Sequence, residues 1–443
     1  MTRLCIKNST LLLLAFTTAF LSRVLHALGV PSLVNFLHLA AVPLACIVAL
    51  CTNRSKDQCQ IQISRSILLG LYFMLAVMTA SALLNNTGII NVVFEFLLIC
   101  EPFMLLVAIV SIPMSSVVIE HFLTWIFRFC IANDFLCCVQ KFVWHLDATN
   151  GGYDNMKGIF IGQGAGHYVG AGVALTFGIY YFLTTKNRTI IVRIAVLMFA
   201  ISQVIISGRR QVFLSFILAL VILTLINLKS FKKALIYLSG TFGAIMFLYL
   251  LACTVFTSLR TWIRADIVGE AIHLKTASFR IITSYYYSPL NWWFGLGPAN
   301  TVGRLGGWMF SPTRGYWGLL EPLGATRTSI GDDVWEAIGA SWLGDKSTFF
   351  SPMFSWVGIW GDLGFLGLGA YLYLCYLLWR YVCVDGISKY LLLTAFWFGC
   401  FFTWLEEPAY MLLLASFISL QWQRRNSQYL LSKTEMKTRI SYP

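Results

Sequence analysis

The chain is short of charge. Only 12% of its 443 residues are Asp, Glu, Lys or Arg, about half the share carried by a soluble domain. Acids are the scarcer sign, with 19 Asp and Glu against 32 Lys and Arg and a net charge of +13. No internal repeat is present. The first apolar run, "STLLLLAFTTAFLSRVL", has no small-residue cleavage site behind it, and another apolar run follows at once. It therefore reads as a span and not as a removed signal peptide. The six histidines are scattered, and no acids fall at a clear metal-binding spacing. The sequence gives no metal cluster and calls for no cofactor. Twelve cysteines occur, but none lies in 139–166 or 257–351, the two longer segments assigned below to the outside. That excludes a disulfide framework there. The cysteines read as small apolar packing residues.

What fills the chain is apolar surface. Hydrophobic residues make up 58% of it, and the mean hydropathy is +0.74. Runs of about 20 apolar residues, the length a bilayer span needs, recur from end to end. The fold class expected is an all-α polytopic membrane protein. Spans are expected near 10–28, 33–52, 66–84, 90–111, 115–138, 167–184, 189–206, 211–228, 233–256, 352–379, 388–404 and 407–423. In such a chain excess Lys and Arg report orientation, so no nucleic-acid partner is implied. With the N-terminus inside, the inner loops hold Arg54, Lys56, Arg65, Lys186, Arg188, Lys229, Lys232, Lys233, Arg380 and Lys389. The short outer turns hold little beyond Arg23 and the pair Arg209-Arg210. Twelve spans with both termini cytoplasmic follow. Residues 1–256 carry the first nine spans, 257–351 form one large outer loop domain, and 352–443 carry the last three spans and a cytoplasmic tail.

Several local signals stand out. The loop 257–351 is rich in Trp and Tyr, among them Trp262, Trp292, Trp293, Trp308 and Trp335. Arginines are interleaved: Arg260, Arg264, Arg280, Arg304, Arg314 and Arg327. An interfacial aromatic belt accounts for part of this. It does not account for six arginines. Aromatic faces stack on sugars, and guanidinium forks match phosphate oxygens. Acids are present too, including Glu321, Asp345 and the adjacent Asp332 and Asp333 at the start of the helix-like "DDVWEAIGASW". "NWWFGLGPAN" places Gly295 and Gly297 in a tight turn. Gly166 and Gly170 have a helix-packing spacing, and His167 lies beside them. Glu95 and Arg128, on the fourth and fifth spans, are expected to pair, since a bare charge in a bilayer is costly.

Three pieces then stand in order: Ser207-Gly208-Arg209-Arg210 at a span end, Arg280 ahead of Phe294-Gly295-Leu296-Gly297, and Asp362-Leu363-Gly364-Phe365-Leu366-Gly367 in the next span. Over roughly residues 200–375 this order resembles the O-antigen polymerase and O-antigen ligase superfamily of bacterial envelope glycosyltransferases. Ligases of that superfamily usually carry a histidine upstream of the Gly-x-x-Gly pattern. The matching stretch here is Ser351-Pro352-Met353-Phe354, so the resemblance points to the polymerase branch.

The resemblance implies an enzyme of exopolysaccharide biosynthesis in the bacterial inner (plasma) membrane. Its substrate would be a polyprenyl diphosphate-linked oligosaccharide, and a flippase and a chain-length regulator would be its companions. It implies that Arg210 and Arg280 hold the donor diphosphate with help from Arg209. Trp292, Trp293, Gly295, Gly297 and Arg304 would bind substrate. The acceptor's proton would go to one of the carboxylates available in the loop, Asp332, Asp333 or Glu321. The alternatives are a ligase acting on a finished glycan and a flippase for the same lipid.

Overall fold

The computed structural model of the chain describes residues 7–52, 57–150, 152–162, 165–227, 239–240, 243, 265–313, 315–344 and 350–440. The expected span 233–256 lies almost wholly outside them. So do Arg54, Lys56, Lys229, Lys232, Lys233, Arg260, Trp262, Arg264, Arg314 and Asp345, and the side chain of Arg210.

The fold is all-α, with no strand among the described residues. The long helices are α1 (Asn8–Ala27), α2 (Leu37–Thr52), α3 (Gln58–Leu84), α4 (Ile89–Ser111), α5 (Ser116–Phe142), α6 (Gly166–Thr184), α7 (Ile190–Ile206) and α8 (Arg210–Asn227). Three shorter helices follow, α9 (Ala265–Lys275), α10 (Ala277–Ser284) and α11 (Ile330–Ala340). The chain then returns to long helices, α12 (Ser355–Leu377), α13 (Gly386–Phe401) and α14 (Pro408–Ile440). Six segments are long and apolar enough to cross a bilayer: Asn8–Ala27, Ser32–Thr52, Gln58–Leu84, Ile89–Ser111, Ser116–Phe142 and Ser355–Val382. Ile190–Ile206, Gln211–Asn227 and Gly386–Phe401 are apolar but shorter. The chain is a helical membrane protein on these grounds.

Local chemistry sets several helix starts. Asp57, Ser115 and Asp385 accept from the amides of Cys59, Val118 and Ser388, capping α3, α5 and α13. The main core forms around α4, whose residues Leu105 to Val110 are all but fully buried. Tyr180 of α6 stacks face to face on Phe417 of α14 at 4.0 Å. A Cβ on Gly178 would lie 2.6 Å from Ala200 Cβ, so α6 and α7 meet through small residues. Gly166 and Gly170 do something different. Cβ atoms there would run into the Phe160 and Lys157 carbonyls, so these glycines admit the preceding loop, and Gly170 also lies against Gln203 of α7 and Asn133 of α5.

Contacts sort the helix ends into two groups. Asn85, Thr87 and Gly88, between α3 and α4, meet the segment 265–344. So do the start of α12 and the end of α13. This is the capped end. At the far end Asn8 bonds Thr52, Asn426 bonds Asp57 and Gln421 bonds Asp385.

Candidate functional site

Residues 295–303 run as an unbroken buried stretch without regular secondary structure. Buried loop backbone must find partners for its amides and carbonyls. Here α3, α4, α12 and the α13–α14 turn supply them. The Ser81 hydroxyl donates to the Phe294 carbonyl, and Asn91 Nδ2 donates to the Pro298 carbonyl at 3.0 Å. Three carboxylates take the amides. Glu95 accepts from Ala299. Asp362 Oδ1 accepts from Asn300 at 3.0 Å and Thr301 at 2.7 Å, and Glu406 accepts from Arg304. A Cβ at Gly303 would sit 3.1 Å from Glu406 Oε2 and 3.4 Å from Asp362 Oδ2. The carboxylates therefore close on the loop from two sides.

The expected pair of Glu95 and Arg128 does not form. Arg128 is exposed, with its guanidinium 4.7 Å from the Trp125 ring centre. A buried carboxylate can be satisfied by amide donors as well as by a cation, and the loop provides the donor.

The two glycine motifs meet directly. Helix α12 breaks at Gly364, whose φ is +65°. The break leaves the Gly361 and Asp362 carbonyls open, and the Leu296 and Gly297 amides donate to them at 2.9 and 3.0 Å. Gly295 has φ of +71°, and a Cβ there would lie 2.4 Å from Asp362 backbone atoms. A Cβ at Gly364 would lie 2.3 Å from the Trp293 carbonyl carbon. Only glycine fits at either place. Trp292 stacks on Phe365 at 6.1 Å just beyond the break, and both Trp292 and Trp293 are exposed, as an interfacial collar would be.

The arginines singled out from the sequence are not gathered at one point by their contacts. Arg209, in the α7–α8 turn, pairs with Asp154 and lies 4.6 Å over the Tyr168 ring. Burial pushes its guanidinium down to about 10. Arg280 is exposed and bonds along its own segment, to Thr276 Oγ1 at 2.8 Å and the His273 carbonyl at 2.9 Å. Arg210 opens α8. Asp332 pairs with Arg327, and Asp333 accepts from the Tyr285 hydroxyl. Both acids stand in the first turn of α11. Arg304 directly follows the buried loop, and its amide donates to Glu406. It pairs with Glu407, and burial with neighbouring Arg23 pushes it down to about 10.

Residues that the sequence left unremarked complete the site. Glu406 and Glu407 lie in the α13–α14 turn, and burial pushes Glu406 up to about 8. Their signal was two adjacent acids between apolar runs in an acid-poor chain. His38 contacts Glu101 at 3.0 Å and is buried. Lys275 donates to the Ser351 and Phe401 carbonyls, and burial pushes it down to about 7. Among the described residues no three His, Cys, Asp or Glu groups come together as a metal site would require. Compared with known proteins, the chain matches no family model and no curated sequence.

Proposed function

We propose that the chain is an integral-membrane glycosyltransferase that lengthens an exported polysaccharide, passing the growing glycan from one polyprenyl diphosphate carrier to the next. On this reading it has twelve spans, the capped end faces outward and both termini are cytoplasmic. The bacterial inner (plasma) membrane is its place. The observation that carries the reading is the backbone contact between Phe294–Gly297 and the break at Asp362–Gly364. These are two of the three pieces on which the family resemblance rests, and they lie 65 residues apart as counted from Gly297 to Asp362. The orientation is supported by Lys186, Arg188, Arg380, Arg424 and Arg425 at the far end.

The chemistry follows from the charges. Negative charge grows on the leaving diphosphate as the glycosidic bond breaks, and fixed arginines stabilise it there. Arg209, Arg210 and Arg280 take this role as the resemblance implies. Aromatic faces at Trp292 and Trp293 are available for sugar. Of the two adjacent carboxylates, Asp333 is assigned the acceptor's proton, because Asp332 is engaged by Arg327. Deletion of the gene, followed by gel analysis of surface polysaccharide, tests the reading. Loss of long chains with retention of single repeat units is expected.

One observation favours a second reading. A broken helix beside buried carboxylates is an arrangement used by transporters for ions and substrates. A flippase for the same lipid would differ in the same experiment: its deletion removes the single units from the surface as well.

A further inference from the structure

A second cationic site lies at the capped end, and neither Arg209 nor Arg280 is among its walls. It is a cavity of about 50 Å3 between the end of α1, the start of α2 and the segment 304–316. Arg23, Asn35, His38, Arg304, Tyr316 and Glu407 are among its walls. The charges do not balance. Arg304 is matched by Glu407, and His38 is turned to Glu101. Arg23 forms no ion pair among the described residues. Lys157 is close enough that Arg23 adds to the lowering of its ammonium by burial, and its Nζ donates to the Gly162 carbonyl. A Cβ at Gly162 would stand 4.0 Å from Arg23 Nη1, so the loop carrying Lys157 lies over the guanidinium.

The cavity selects by size and by charge. Its volume holds a group of about one phosphate or a few waters, and no sugar ring. The walls themselves carry two guanidinium groups against one carboxylate, Glu407. Planar guanidinium donors match phosphate oxygens in pairs. Arg23 lies one turn from the end of α1, the depth of lipid headgroups in the orientation proposed. Next to it Leu25, Leu28, Val30 and Leu33 are exposed apolar side chains on the α1–α2 corner. A phosphate held at Arg23 can therefore keep a hydrocarbon chain against this corner.

We propose that this cavity binds a phosphate of an isoprenoid phosphate lipid through Arg23 and Arg304. The proposal rests on the transferase reading for the isoprenoid nature of the lipid and for the use made of it: a polymerase handles two carriers in each cycle, and this site would hold the second. Free phosphate shares the same chemistry, and the test separates the two sources.

The full chain in detergent micelles is titrated with geranylgeranyl diphosphate, with sodium pyrophosphate and with geranylgeraniol, and thermal unfolding is followed. The diphosphate lipid should stabilise the protein saturably and more strongly than pyrophosphate, and the alcohol should have little effect. Arg23→Gln should weaken the lipid by roughly ten- to a hundredfold, the usual worth of hydrogen bonds to a charged group. Arg23→Lys should fall between, and Arg128→Gln, on an exposed face of α5, should match the parent. Each variant's melting without ligand reports its folding. Equal affinity in Arg23→Gln, no stabilisation by the lipid, or equal stabilisation by geranylgeraniol each overturns the proposal. Pyrophosphate as tight as the lipid makes this a free-phosphate site and removes the lipid assignment. If deletion abolishes long polymer while Arg23→Gln binds normally, the transferase reading stands and this site falls. If binding behaves as expected and polymer is unaffected by deletion, the site stands in a protein of another activity.

Discussion

Leu296 donates its backbone amide to the Gly361 carbonyl at 2.9 Å, joining a buried loop to the point where helix α12 opens. The hydrogen bonds lost by the helix are thereby replaced by bonds from the loop, which is how broken helices persist inside membrane proteins. The joint depends on glycine on both sides. Gly295→Ala and Gly364→Ala should each lower stability by about 2–5 kcal/mol, combining backbone strain at positive φ with overpacking. Gly369→Ala, in the same helix with no atom within 4 Å of the added Cβ, should leave the melting temperature unchanged. Melting in detergent checks all three. Normal melting of both Gly295→Ala and Gly364→Ala would remove the joint as a structural necessity.

Asp362 is the acceptor on which the loop turns. It takes the amides of Asn300 and Thr301. Asp362→Ala leaves both buried and unpaired, at about 1–3 kcal/mol each. Asp362→Asn keeps an acceptor oxygen and should cost less. Hydrogen exchange should then rise at residues 300 and 301 in the alanine variant, with the rest of the bundle protected. Uniform exchange throughout, or none, would argue that these bonds do not hold the loop.

The sequence made the helices legible because apolar runs separated by charged or Gly-containing turns need no partner to be recognised. It also located the start of α11, since Asp332 and Asp333 sit where a helix start favours acids. The loop was not legible. "NWWFGLGPAN" has the composition of a surface turn, and nothing in its periodicity says that residues 295–303 are buried. The partner of Glu95 was missed for a related reason. Sequence reasoning matched charge with opposite charge, as Glu95 with Arg128, whereas the actual donor is the amide of Ala299, which every non-proline residue carries. The Arg23 cavity was hidden because its walls come from positions 23, 35, 38, 304, 316 and 407, which no local motif connects.

Lys275 gives a pH signature. Burial brings its folded value to about 7, below the usual 10.5. Between those values the unfolded chain holds a proton that the folded chain lacks. Stability contributed at this site therefore rises with pH from about 7 to 10.5, and the cost of the buried charge is fully present below 7. Lys275→Met also loses the bonds to the Ser351 and Phe401 carbonyls, which adds a constant offset. The parent should gain on the variant across that window. Cys400 is the titratable neighbour, so the comparison is repeated with Cys400→Ala in both chains. A difference that does not change with pH would refute the assignment.

Orientation can be read with a reporter that is active only in the cytoplasm. Placed at the C-terminus it should be active. Inserted at Gly318, where a Cβ would meet nothing within 4 Å, it should be silent. Activity at Gly318 would put the capped end inside and end the proposed reaction at the outer leaflet.

Asp333 carries the proton step in the proposed transfer, and its neighbours make that testable. It accepts from the Tyr285 hydroxyl, which also lies 2.7 Å from Ser329 Oγ, while Asp332 is turned to Arg327. A bland role is open to both acids, since each stands in the first turn of α11 and complements its N-terminal partial charge. Asparagine separates the two roles: it keeps the shape and most of the helix-start function but cannot accept a proton at neutral pH. Turnover of purified lipid-linked substrate should fall by about 10²–10⁴-fold in Asp333→Asn, the usual contribution of a general base, with melting close to the parent. Asp332→Asn should retain turnover. Tyr285→Phe leaves the carboxylate in place but removes its hydrogen bond, so it should lower turnover less than Asp333→Asn does. Full turnover in Asp333→Asn would leave the helix start as its only role and move the search for the base to Glu321 and Asp362.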